Sequence, residues 1–466
     1  MRPEESSHAA AAHGASVSAP KMKELLSENA NILESVLIFV VSMPKHLLIV
    51  CRGRKYSSCL FLTKPKMVIT KWLMVFLLLN ASCFRSKPSK VLDEHQNEAF
   101  MKDSVFYYPI KNNRITVDVS KLETASLFDY FSHIELIPLE TRRDALIGRH
   151  IEKIIFHQDQ YYILCGQQHA VLIFDVNGNF IEKIRRIGNG PGEYLMLYDI
   201  IINPFTGNLD FLCPFTGRVN SYDLSGKHIW TSERISYQDT DLSTLHRLFA
   251  ISENIYIFYT WRHASQHITY YNIAENRIFH RERDYKDVSN NTADIRFYEY
   301  NGQWYLYSLF DYSVYSLGRD SLLWAYEWDF GKPVFDADNF VLTEQMKGDY
   351  DTYLAEIWRR YPYMLINQGQ NNRYVISRVI RGAIEYSYLI YDKMTNESKF
   401  IGNFIEAVNF LPRIVTNDYV LAYYRHEEVH RFITEEMLDE ENRNKLNIYL
   451  DSKIELNPVI VKYHFK

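Results

Sequence analysis

Five times in this chain an apolar run ends on an aromatic residue, a small polar residue follows, and a turn comes next. The pairs are Phe174-Asp175, Tyr222-Asp223, Tyr271-Asn272, Tyr315-Ser316 and Tyr391-Asp392. Asp175 to Asp223 is 48 residues, Asp223 to Asn272 is 49, Asn272 to Ser316 is 44, and Ser316 to Asp392 is 76. Gly178 to Gly226 and Cys165 to Cys213 repeat the 48-residue step, so three kinds of marker share one register. A fixed period of this size means one supersecondary unit stacked on copies of itself.

Each unit reads as four strands, in the first case over residues 151–157, 160–165, 170–175 and 180–186. Asn177-Gly178 supplies a tight turn between the last two. Aromatic residues make up 15% of the chain, with 35 Tyr, which favours pleated and half-buried surfaces. Four-stranded units with a period in the forties fit the blades of a β-propeller. The expected fold is therefore all-β. The long interval holds a helical insertion near 331–360, with Tyr353, Leu354, Ile357 and Trp358 on one face and Asp351 as N-cap. A last unit reads as strands 413–415 and 419–424, an acidic helical segment 434–450, and a strand at 458–465. It lacks one strand, and residues 134–139 are spare. An open edge invites aggregation, so these N- and C-terminal strands are expected to pair and close a six-bladed ring.

Hydrophobic residues at 47% and charged residues at 23% exclude disordered and fibrous classes. A net charge of −5 gives no reason to expect nucleic acid, and five Cys make no disulfide framework. Residues 1–66 read as an over-extended or unstructured leader. From Met67 the chain has the form of a secretory signal over 67–82: Lys71, an apolar core from Trp72 to Leu79, then Asn80, Ala81 and Ser82. The core is too short to span a bilayer. Ala81-Ser82-Cys83 resembles the lipobox of bacterial lipoproteins, with Asn80 where Leu is usual. That resemblance implies acylation at Cys83, and residues 83–102 read as a tether.

Arg186-Ile-Gly-Asn-Gly-Pro-Gly-Glu-Tyr194 resembles the GxGPGEY signature of six-bladed, NHL-like β-propeller lipoproteins of Bacteroidota. Ile137-Pro-Leu-Glu-Thr141, Phe174 to Phe180 and Asn457-Pro-Val-Ile-Val461 agree with it. The resemblance covers residues 103–466 and implies a fold and a cell-envelope address rather than a reaction.

Gly188, Gly190 and Gly192 are not a phosphate loop, because no Lys-Ser/Thr follows and the next segment is not helical. They read first as a blade-to-blade crossover with glycines at positive φ, and Arg186, Glu193 and Tyr194 as ligand contacts in the alternative. Asp175, Asp223 and Asp392 read as turn residues bonding nearby N–H groups rather than as metal ligands. His263 and His267 read as a loop. His426-Glu-Glu-Val-His430 is the best spacing for a metal but follows a strand where a zincin needs a helix, so no metal and no cofactor is implied. Cys165 and Cys213 lie in apolar strands and read as buried free thiols. The function expected is a lipid-anchored, non-catalytic envelope propeller that binds a small molecule, glycan, peptide or envelope protein. Two other classes stay open: a metal-dependent lyase or lactonase-like enzyme, and an accessory subunit of an envelope complex.

Overall fold

The apolar runs between Gly and Asn turns fold as antiparallel strands. In a computed structural model the described residues are 108–148, 150–235, 245–260, 268–282, 296–307, 312–332, 350–382 and 385–466. Residues 1–107, on which the expected leader, signal, acylated Cys83 and tether fall, lie outside them, as do His263 and His267. Strands β1 (Arg114–Thr116), β2 (Leu122–Ala125) and β3 (Phe131–Pro138) come first. Blade I is β4 (Lys153–His157), β5 (Gln160–Cys165), β6 (Ala170–Asp175) and β7 (Phe180–Ile184). Blade II is β8 (Asp199–Ile202), β9 (Leu209–Cys213), β10 (Arg218–Tyr222) and β11 (His228–Thr231). Blade III is β12 (Leu245–Ala250), β13 (Ile255–Thr260), β14 (Ile268–Asn272) and β15 (Arg277–Glu282). Blade IV is β16 (Phe297–Tyr300), β17 (Gln303–Tyr307), β18 (Ser313–Leu317) and β19 (Leu322–Asp329). Blade V is β20 (Tyr363–Gln370), β21 (Tyr374–Arg381), β22 (Glu385–Asp392) and β23 (Glu397–Phe404). Blade VI is β24 (Ile414–Val415), β25 (Tyr419–Tyr424) and β26 (Val459–Phe465), completed by β3.

The protein is a six-bladed β-propeller. Side chains alternate along a strand, and here both faces are buried: Tyr161, Ile163 and Cys165 pack towards blade VI, Tyr162 and Leu164 towards blade II. The buried apolar residues of the described chain fall into six clusters, one at each interface between neighbouring blades. The cluster between blades VI and I joins Ile137, Leu421 and Ile460 to Ile154 and Tyr161, which makes the ring continuous.

Closure follows the expected route. β3 pairs antiparallel with β26, with Ile137 opposite Ile460 and Ile134 opposite Tyr463. The turn of blade I tests the register. Gly178 has φ +86°, and a Cβ there would lie 2.5 Å from the Pro138 carbonyl oxygen. In blade II, Gly226 has φ +79° and the same close approach to Ile184 at the end of β7. β3 therefore stands as the fourth strand of blade VI, as β7 does for blade I. Glycine is required at both turns, by its backbone and by its missing side chain.

Asn457 locks the seam. Its Nδ2 donates to the carbonyls of Glu140 (2.7 Å) and Ala145 (2.8 Å), its Oδ1 accepts from Ile147 N (2.8 Å), and its N donates to Thr141 Oγ1 (2.8 Å). Helix α1 spans Tyr350–Arg360, inside the expected insertion; Asp351 lies within it rather than at its N-cap. Helix α2 (Glu440–Leu450) is capped by Asp439, and its buried Asn442 accepts from Leu136 N on β3 at 2.8 Å. Two strands were not expected. β1 adds to β19 and β2 to β23, both parallel, as fifth strands of blades IV and V. Among the described residues no helix is long and apolar enough to cross a membrane.

Candidate functional site at the axial mouth

Up-and-down blades of four strands impose one geometric rule. All first strands run the same way along the axis, and every crossover returns to the end where the next first strand begins. That end gathers charged residues. Lys153 opens β4, Asp199 opens β8 and Arg247 lies in β12. Arg296 precedes β16, Glu299 lies within it, and Arg413 precedes β24. In blade V, Arg378 on β21 sits opposite Ile366, midway along β20.

Asp199 is fully buried and ties three blades together. Its Oδ1 accepts from Lys153 Nζ at 3.0 Å, and its Oδ2 accepts from Leu248 N at 2.9 Å. The Lys153 ammonium also lies 5.7 Å from the Trp304 ring centroid in blade IV. Burial holds the Lys153 amine below its ordinary pKa, while Asp199 acts in the opposite direction. Glu299 remains water-accessible yet is enclosed enough that burial raises its carboxyl pKa, with Lys153 opposing the shift. Glu299 thus borders both water and the Lys153 ammonium. Arg247 is buried and donates to the His246 carbonyl at 3.0 Å. Buried Arg296 donates to the Tyr307 carbonyl (3.3 Å) and the Tyr259 hydroxyl (3.0 Å). The mouth thus offers an ammonium, guanidinium groups and two carboxylates in surroundings where Coulomb forces are weakly screened.

The crossover 185–198 places the sequence-derived candidates outside this cluster. Arg186 donates from Nε (3.2 Å) and Nη2 (2.9 Å) to the Gly226 carbonyl. Tyr194 is buried; its hydroxyl donates to the His169 carbonyl at 2.9 Å and accepts from Arg186 N at 3.3 Å. Glu193 is exposed, and its Oε2 accepts from Gly190 N at 2.8 Å. These bonds strap blade I to blade II, so a ligand touching Arg186 or Tyr194 would have to replace them. Of the three glycines only Gly192 has positive φ, +70°, and a Cβ there would fall 2.4 Å from the His228 ring.

His426 Nε2 lies 2.9 Å from the Tyr449 carbonyl oxygen, and His430 is exposed. Glu427 and Glu428 pair with Arg425. No group of three or more His, Cys, Asp or Glu suited to a metal forms among the described residues. Asp175 accepts from Asn177 N and Asn179 N, Asp223 from Ser225 N and Lys227 N, and Asp392 from Met394 N, each closing its own turn. Cys165 and Cys213 are buried free thiols, and burial pushes Cys165 up to about 12. Sequence reasoning missed Lys153, Asp199, Arg247, Glu299, Arg378 and Arg413. The available signal was a charged residue near the start of an inner strand in successive units.

Comparison with known proteins agrees with the architecture. Residues 111–464 match the family described as a domain of unknown function, DUF4934. No curated protein sequence matches. The chain is similar to a Bacteroides fragilis protein described as exported, at 15% identity over 76% of this chain and 99% of that one, with a TM-score of 0.56. It is also similar to a DUF4221-family protein of Bacteroides vulgatus, at 12% identity over 72% of this chain and 97% of that one, with a TM-score of 0.43.

Proposed function

Because the chain belongs to the DUF4934 family, whose function is unknown, we propose a function from its geometry: a non-catalytic binding propeller of the cell envelope. Its ligand enters the axial mouth and meets Lys153, Asp199 and Glu299. The observation that carries this reading is the enclosed, water-accessible charge cluster drawn from successive blades. Ligand sites are concave and place a few polar groups in fixed positions, and a cluster pinned by Asp199 to three blades meets that description. A small molecule, glycan or peptide bearing charge suits it.

The address rests on residues 67–83. The signal carries the chain out of the cytoplasm, Cys83 takes the lipid, and 83–102 tether the ring, with Met67 as the natural start. The GxGPGEY residues, read as the mark of propeller lipoproteins, and the exported B. fragilis protein support that reading.

Two experiments test the two halves. Cells of a Bacteroidota host expressing the full chain are labelled with radioactive palmitate; Cys83→Ala should abolish incorporation, and unchanged labelling would refute the anchor. The purified protein is then titrated with a panel of amino acids, charged dipeptides and oligosaccharides. Saturable binding with Kd below about 1 mM that weakens at least tenfold in Lys153→Met is expected. Equal binding by that variant would remove the mouth as the site.

A further inference from the structure

Two arginines at the mouth lack the partner their charge calls for. Arg378, on β21, is 3% exposed. Its guanidinium stacks 3.6 Å from the Tyr386 ring centroid, and Tyr388 and Tyr424 complete its surroundings. Arg413, at the entry to β24, stacks 4.2 Å from the Tyr423 ring centroid. The Nε–H groups of both are buried and bond to nothing. The positive charge of Arg413 acts on Arg378 and repels it.

Arginines nearer the surface have carboxylate partners. Arg373 meets Asp392, Arg425 meets Glu427 and Glu428, and Arg114 meets Glu327 and Asp329. Two like charges held near each other, one of them almost fully buried, are costly unless an anion joins them. Tyrosine faces offset part of that cost and hold the guanidinium planes in place. What remains unsatisfied is one buried Nε–H on each of two positively charged guanidinium groups, and guanidinium groups recognise planar or tetrahedral oxyanions through paired bonds.

We propose that Arg378 and Arg413 form a subsite, between blades V and VI at the axial mouth, for the carboxylate or phosphate group of the ligand. This deepens the reading of the mouth as a binding site: the ligand's anionic group docks here while its remainder faces Lys153, Asp199 and Glu299.

The test is thermal unfolding of the full chain in sodium phosphate, sodium glutarate and sodium chloride at equal ionic strength. Wild type should gain at least about 2 °C over chloride in phosphate, glutarate or both. Phosphate alone assigns a phosphate group, glutarate alone a carboxylate, and both the shared oxyanion chemistry. Arg378→Met and Arg413→Gln should lose that gain, whereas Arg277→Gln, an exposed charge in blade III, should keep it. In chloride the first two variants should melt no lower than wild type, because each relieves an unpaired charge. No gain over chloride in wild type, a gain retained by both variants, or variants that melt lower in chloride would each overturn the subsite. The panel titration of Lys153→Met is read separately, so the anion subsite can fail while the mouth stands.

Discussion

Blades I to III and blades IV to VI share a plan but finish their outer edges differently. β7, β11 and β15 are the outermost strands of the first three blades. Two of them carry charged protection, Glu182 and Lys183 on β7 and Arg277, Arg281 and Glu282 on β15, while β11 is short and uncharged. Charged residues on an edge discourage pairing with another chain. In blades IV and V the edge is covered by β1 and β2, and in blade VI by the contact of Asn442 with β3. The N-terminal segment thus runs across three blades before the first marked repeat begins. One half of the ring repels strangers; the other is wrapped by its own chain.

If the wrapped half holds the ring, its loss should be the most damaging change. Deleting residues 457–466 removes β26 and the Asn457 lock together. Near-UV circular dichroism should show no cooperative transition, and a retained melting temperature would mean that the seam lies elsewhere. Deleting residues 105–125 should be the next most severe. It uncovers β19 and β23 and the pockets of Ile115 (1% exposed) and Val117 (4%), at a cost of about 4 kcal/mol for the two side chains. Light scattering should show self-association; a monodisperse monomer would show that the cover is dispensable. Asn457→Ala breaks three side-chain bonds in a buried site and should cost about 3 kcal/mol in urea unfolding.

The bare half should respond to acid. Asp175 and Asp223 have carboxyl pKa values held below the ordinary one, the first against a desolvation that pushes upward and mainly by Asn179, the second mainly by Ser225 and Lys227. A lowered folded pKa contributes stability above the unfolded value near 3.8 and loses it as pH falls through the folded one. Melting temperature should therefore drop below about pH 4, and the double variant Asp175→Asn, Asp223→Asn should show a shallower drop. An identical acid profile would count against the turns. Least of all, Ile181→Thr on the open edge of β7 should move stability by no more than about 0.5 kcal/mol. A larger loss would show that this edge is covered after all.

Much of the fold was legible because each unit is local. β5, β6 and β25 stand at the residues read from apolar runs and turn signals, since hairpins need only neighbouring residues. β1 and β2 were not legible: Arg-Ile-Thr and Leu-Glu-Thr-Ala are short and mixed, and their parallel partners lie more than 200 positions away. The site followed the same division. Arg186, Glu193 and Tyr194 were found because a glycine signature advertises a local backbone demand, and the structure shows that demand as a strap between blades. Lys153, Asp199, Arg378 and Arg413 come from four blades, and only the ring brings them together. Nothing within any one unit marks them as a set.

Closing the ring by pairing β3 with β26 also sets a timetable. His464 and Glu135, bonded at 2.9 Å, stand 329 positions apart. At roughly 5–20 residues per second, translation separates them by about 15–65 s. Through that interval blade VI has no partner for Ile134, Leu136 and Ile137, and blade I has no neighbour on one face. A chain stopped a dozen residues early has five finished blades and no ring. The protein is thus all or nothing in time as well as in space: no ring exists until β26 is made.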